Sequence, residues 1–156
     1  MNISYINDTD FKLFLNNNFF EEIEYESKEE LMALLKAIIL KLKKSYGIIV
    51  SGFYEVNIYI LKKIGIEFHF TKNNDSTFSN KVVDLKMTIH LSPNVYLKFN
   101  NYDYVSEYSN LRYSEGNFYL KPDLLDDNDL IKLSDLCTII IDENDEIDNY
   151  LLLKKN

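Results

Sequence analysis

The stretch Ser51–Phe70, SGFYEVNIYILKKIGIEFHF, constrains the fold more than any other part of the chain. Val56, Ile58 and Ile60 alternate with Glu55, Asn57 and Tyr59. After a short connection, Ile66, Phe68 and Phe70 alternate with Glu67, His69 and Thr71. Successive side chains of a strand point to opposite faces, so the pattern describes two half-buried strands. Gly65 is read as supplying the turn between them. One face is apolar and needs a cover. The other carries Glu, Asn, Tyr, His and Thr, and is the kind of face that stays in contact with water or a partner.

The cover lies just upstream. Ser27 followed by Glu30 forms a capping box before a run in which Leu31, Leu34, Leu35, Ile38 and Leu42 recur at helical spacing. Lys41, Lys43 and Lys44 crowd the last turn, where the helix dipole favours cations, and Gly47 follows where a left-handed cap is expected. The spacing predicts a helix from about Lys28 to Tyr46. Ile3 to Ile6 and Phe11 to Leu15 read as strands around a turn at Asn7 to Asp10, and NNNFFEEIEYE as a connection with a strand-like tail. The first part of the chain thus reads ββαββ.

The polar run TKNNDSTFSN, Thr71 to Asn80, is the expected boundary. It divides a ββαββ subdomain over 1–72 from a β-rich subdomain over 81–156, with a linker over 73–80, unless the two halves form one continuous domain. Beyond it, Val83, Leu85, Met87, Ile89 and Leu91 alternate with Asp84, Lys86, Thr88 and His90 over a long strand. Ser92-Pro93-Asn94 is read as a turn into a strand at Val95, Leu97 and Phe99. Leu111 to Tyr113 and Phe118 to Leu120 flank Glu115-Gly116-Asn117, a hairpin signal. Pro122 ends that strand, Asp126 or Asp127 caps a short helix using Leu130, Leu133 and Leu136, and the apolar Cys137 to Ile141 reads as a central strand. The expected class is α+β, with antiparallel sheets each covered by a helix.

Composition excludes several functions. The 156 residues carry a net charge of −8 with a single arginine, Arg112. Nucleic-acid binding needs clustered Lys and Arg, so it is not expected. One cysteine, Cys137, excludes an internal disulfide. The start, MNISYINDTD, has neither the basic nor the apolar region of a signal peptide, and the apolar runs are too short to span a membrane; the expectation is a cytoplasmic protein with no membrane partner. Four glycines form no phosphate-cradling loop.

No catalytic residue, metal site or cofactor is expected. His69 and His90 sit on outer strand faces with Glu67 near, but no ligand spacing accompanies them, and a small enzyme built on that face is the remotest reading. Cys137 lacks a local base and reads as a buried thiol. DENDEIDNYLLL fails the calcium-loop pattern at its glycine and last-carboxylate positions. Ten acids against one lysine between Asp123 and Asp148 make either a solvated face or a docking face for a basic partner. Tyr54, Tyr59, Tyr96, Tyr102, Tyr104, Tyr108 and Tyr119 fall mostly outside the inward register, and tyrosine gives broad, rigid contact area. The candidate partner-binding residues are therefore Tyr54, Tyr59, Glu67 and His69 on the hairpin, with Asp142, Glu143, Asp145 and Glu146 in the acidic region.

The run SGFYEVNIYILKKIGIEFHFTK, with Gly52, the Val56/Ile58/Ile60 strand, Gly65, Ile66/Phe68/Phe70 and Thr71-Lys72, resembles the hairpin closing the N-terminal domain of the MecA-type adaptor family. LRYSEGNFYLKPD followed by an acidic helix resembles that family's C-terminal hairpin. The long charged linker of the family has no counterpart here. The resemblance implies an adaptor that brings protein substrates to a Clp-type AAA+ unfoldase. The favoured expectation is accordingly a non-enzymatic adaptor or regulator with protein partners. The alternative is an acidic immunity or inhibitor protein that neutralises a basic toxin or nuclease.

Overall fold

The computed structural model describes residues 2–5, 9–16, 27–73 and 83–154. The expected connection over 17–26, part of the turn before Asp10 and most of the run 73–80 lie outside these. The fold is α+β, with two five-stranded sheets, and the chain divides into two compact units, Met1–Leu91 and Ser92–Asn156.

The first unit contains β1 (Asn2–Tyr5), β2 (Asp10–Asn16), α1 (Lys28–Tyr46), β3 (Gly52–Leu61), β4 (Gly65–Asn73) and β5 (Val83–His90). The helix spans the residues its spacing predicts. The Ser27 hydroxyl accepts from the Glu30 amide at 3.3 Å, and Gly47 adopts φ 66°, the left-handed cap. Its Leu31, Leu35, Ile38 and Leu42 are buried against Phe11, Leu13 and Leu15 of β2, Val56, Ile58 and Ile60 of β3, and Ile66, Phe68 and Phe70 of β4. Each such side chain contributes roughly 1.5–3 kcal/mol on full burial.

Sheet order is β1-β2-β4-β3-β5. Three of its pairings are antiparallel, but β5 joins the far side of β3 in parallel register, Asn57 beside Thr88 and Tyr59 beside His90. The sheet is thus mixed. The division between units falls after Leu91, not at residues 73–80, because Leu85, Met87 and Ile89 pack against the core under α1. Ser92-Pro93-Asn94 correspondingly joins the two units and does not close a hairpin. Nor does Gly65 make the β3–β4 turn. Lys63 takes the left-handed conformation there, φ 68°. Gly65 is needed because β2 passes so close that a Cβ would run into the Leu15 carbonyl oxygen.

The second unit contains β6 (Val95–Phe99), β7 (Leu111–Ser114), β8 (Asn117–Leu120), α2 (Asp127–Ser134), β9 (Thr138–Ile141) and β10 (Leu151–Leu153), in the sheet order β10-β7-β8-β6-β9. Glu115 and Gly116 both take positive φ, giving β7 and β8 the two-residue turn whose twist suits a hairpin. Asp126 caps α2, its carboxylate accepting from the Asp129 amide at 2.8 Å. The lone Arg112 is structural, its guanidinium donating to the Tyr150 carbonyl beside β10. β9 is a terminal strand of the described sheet and is half-buried, not central. An unbroken apolar run does not by itself distinguish an edge strand from a central one.

Candidate functional site

The outer face of the first sheet carries the hairpin candidates, with one exception. Tyr54 has the same strand parity as Val56 and points inward. It is 6 % exposed, edge-on to Phe11 and Phe70, with the Lys72 ammonium 5.9 Å above its ring. Burial raises its hydroxyl pKa above the usual phenol value. It belongs to the core and, contrary to the sequence expectation, offers no docking surface.

Tyr59 does lie on the outer face, yet it is 4 % exposed. Its ring stacks on His90 at 4.5 Å and tilts against His69 at 4.7 Å. His90 Nε2 is 3.1 Å from Asn57 Oδ1. His69 Nε2 is 3.3 Å from Glu67 Oε1, within ion-pair reach if the ring is protonated but without hydrogen-bond alignment. The two imidazoles sit on β4 and β5, with β3 and the Tyr59 ring between them. They have no common point to ligate, and among the described residues no three His, Cys, Asp or Glu side chains are arranged to hold a metal ion. Tyr59, Glu67, His69, His90 and Asn57 form a packed polar–aromatic layer.

The acidic candidates divide as well. Asp142 is 7 % exposed, and its carboxylate accepts from the amides of Glu146 at 3.0 Å and Ile147 at 2.9 Å. Its own amide donates to the Asn94 carbonyl. The Asn94 side-chain amide in turn donates to Asp145 at 3.0 Å and Asp148 at 3.2 Å. The Tyr96 hydroxyl donates to Asp148, which also faces Lys121 at 3.5 Å. That hydrogen bond, ahead of Lys121, holds the Asp148 pKa below the ordinary carboxylate value. Burial foremost, then the same bond, pushes the Tyr96 hydroxyl pKa up. Ile147 is buried with Tyr96 and Tyr119, so the loop is a roof over one face of the sheet. Asp142 is its anchor, not a docking group; Glu143, Asp145 and Glu146 remain exposed.

Cys137 is partly exposed, not buried, and its thiol donates to the Ser134 carbonyl. Desolvation pushes its pKa up to about 11, which leaves little thiolate at neutral pH. Of the remaining tyrosines, Tyr96 and Tyr119 are buried, whereas Tyr102 and Tyr104 are exposed.

A feature that sequence reasoning missed lies between α1 and β5. Met32, Lys36, Ile39 and Leu40 of the helix and Asp84 and Leu85 of the strand line a groove of about 470 Å³. Leu40 is 58 % exposed beside it. Among the described residues β5 ends the sheet, and Asp84 and Leu85 near its start form one wall of this apolar groove. The one sequence signal was that Met32, Ile39 and Leu40 widen the apolar stripe of α1 beyond what the first four strands cover.

The chain matches no protein-family model, no curated protein and no solved structure.

Proposed function

We propose that this protein is a non-enzymatic interaction module, an adaptor or regulator, which holds an extended segment of a protein partner along β5. The observation that carries the reading is that β5, eight residues long and last in the described sheet, has an apolar groove between its first residues and α1. A sheet edge offers backbone donors and acceptors to any extended chain, and the adjoining groove takes its alternate side chains. Lys36 and Asp84 at the groove rim supply both signs of charge for orientation. The docking surface thus moves from the Tyr59 face, which is packed, to the strand beside it. The AAA+ unfoldase implied by the family resemblance enters as one partner to be scored.

The test is affinity capture from the native cell with mass spectrometry, comparing the unaltered chain, Leu40→Asp, and a chain with Glu143, Asp145 and Glu146 neutralised together. The expected outcome is partners lost with Leu40→Asp and kept by the neutralised chain. Loss only with the neutralised chain would favour an acidic inhibitor and sink the groove reading.

A further inference from the structure

We propose that the partner along β5 is β5 of a second copy of this chain, antiparallel about a two-fold axis at Met87, so that the first sheet continues across two protomers. The proposal rests on reading the β5 edge and its groove as an interaction surface, and adds what fills it.

A strand that pairs with itself must satisfy its own charge pattern. With the axis at Met87, Asp84 faces the partner's His90 and Lys86 faces the partner's Thr88, all on the outer face. On the inner face Leu85 meets the partner's Ile89, and Met87 meets itself. No like charges are opposed, and every residue of Val83–His90 except the first has its counterpart within the strand. The neighbouring registers fail. An axis at Lys86 sets two ammonium groups against each other, one at Thr88 sets Lys86 against His90, and one at Leu85 leaves Thr88 to His90 outside the ladder. An axis passing through the sheet at a residue also keeps the apolar faces of both copies on one side, under their two α1 helices.

The same rotation covers apolar surface that the monomer exposes. Leu91, just past the strand and 52 % exposed, has the inward parity of Leu85, Met87 and Ile89. In the pair it comes opposite the register position of Val83. With Ile89, it then reaches the end of the partner's groove lined by Met32, Ile39 and Leu40. Leu40 and Leu91, otherwise unrelated exposed residues, are both covered by one operation.

The full chain is examined by sedimentation velocity across a dilution series. The expected result is a monomer–dimer equilibrium in which Leu40→Asp and Asp84→Lys, both at exposed positions, each raise the midpoint concentration roughly tenfold or more. In a Cys137→Ser background, Met87→Cys is expected to form a disulfide-linked dimer on mild oxidation, since facing residues of paired strands lie within disulfide reach. Glu55→Cys, exposed one strand further in, should stay monomeric. A chain that sediments as monomer throughout overturns self-pairing, as does a dimer that Leu40→Asp leaves intact and Met87→Cys does not trap. If the chain is monomeric and Leu40→Asp still loses captured partners, self-pairing is wrong and the interaction reading stands. If capture is also unchanged, both are wrong.

Discussion

The two sheets reach order by different means. In the first, β3, β4 and β5 run for ten, nine and eight residues over one continuous apolar core. In the second, no strand among the described residues exceeds five residues, and one face is closed by a loop tied down through Asp142, Asn94, Tyr96 and Asp148. A long alternating strand is placed by the sum of many burial terms of similar size, so no single side chain sets its register. A short strand buries too little for that, so a few polar contacts with fixed geometry set its position. The first unit should therefore respond most to changes in backbone clearance, and the second to single hydrogen-bonding groups.

The comparison can be broken most forcefully at Gly65. Gly65→Ala puts a methyl group against the Leu15 carbonyl and should cost about 3 kcal/mol, read from urea denaturation with hydrogen exchange resolved by unit. An unchanged midpoint in the first unit would mean that β2 shifts freely, and that its place is not fixed by packing. Next in size is Asp142→Ala, which strands two loop amides and should cost the second unit about 2 kcal/mol while leaving the first unaltered. Equal loss in both units would mean that the two sheets do not differ in how they are held. Ser27→Ala removes one cap from a helix otherwise held by its buried face, and should cost the first unit about 1 kcal/mol.

The smallest effect concerns pH. Asp148 has a folded pKa below its ordinary value, so its contribution is present above the unfolded carboxylate pKa and is lost as pH falls through the folded one. Tyr96 is raised, so its contribution is present below the ordinary phenol value and lost as pH rises through the raised one. Tyr54 in the first unit is raised too, which makes the acid side the discriminating one. Acid titration should loosen the second unit, and Asp148→Asn should flatten that dependence. A profile unaltered by Asp148→Asn would mean that the Tyr96–Asp148 hydrogen bond contributes nothing to the acid response of the second unit.

What was legible in the sequence follows the same division. The cap at Ser27, the period of α1 and the terminator Gly47 are local signals, and the helix ends where they place it. Alternation correctly assigned β3 and β4 and gave β5 its inward face. It could not name the neighbour of β5, because period two encodes a face and not a pairing partner. The polar run 73–80 therefore looked like a boundary although the strand beyond it returns to the first sheet. Tyr54 was open to the same parity count as Val56, two residues on, but its residue type suggested a surface. The role of Asp142 was hidden because ten acids in one region look alike until the chain bends one of them back toward its own amides. The groove was hidden for a related reason, since it needs residues 32–40 of a helix face and residues 84–85 of a strand, far apart in the chain, to come together.

The late arrival of β5 has a consequence for synthesis. Translation delivers β1 to β4 and α1 before the strand that finishes their sheet. Until Leu91 has left the ribosome, the edge of β3 is bare, the groove has one wall, and Tyr59 lacks the His90 ring that stacks on it. The nascent chain thus passes through a stage in which one edge of a ten-residue strand with an apolar face is open to any extended segment nearby, and the last strand of the first unit ends that exposure just as the second unit begins to emerge.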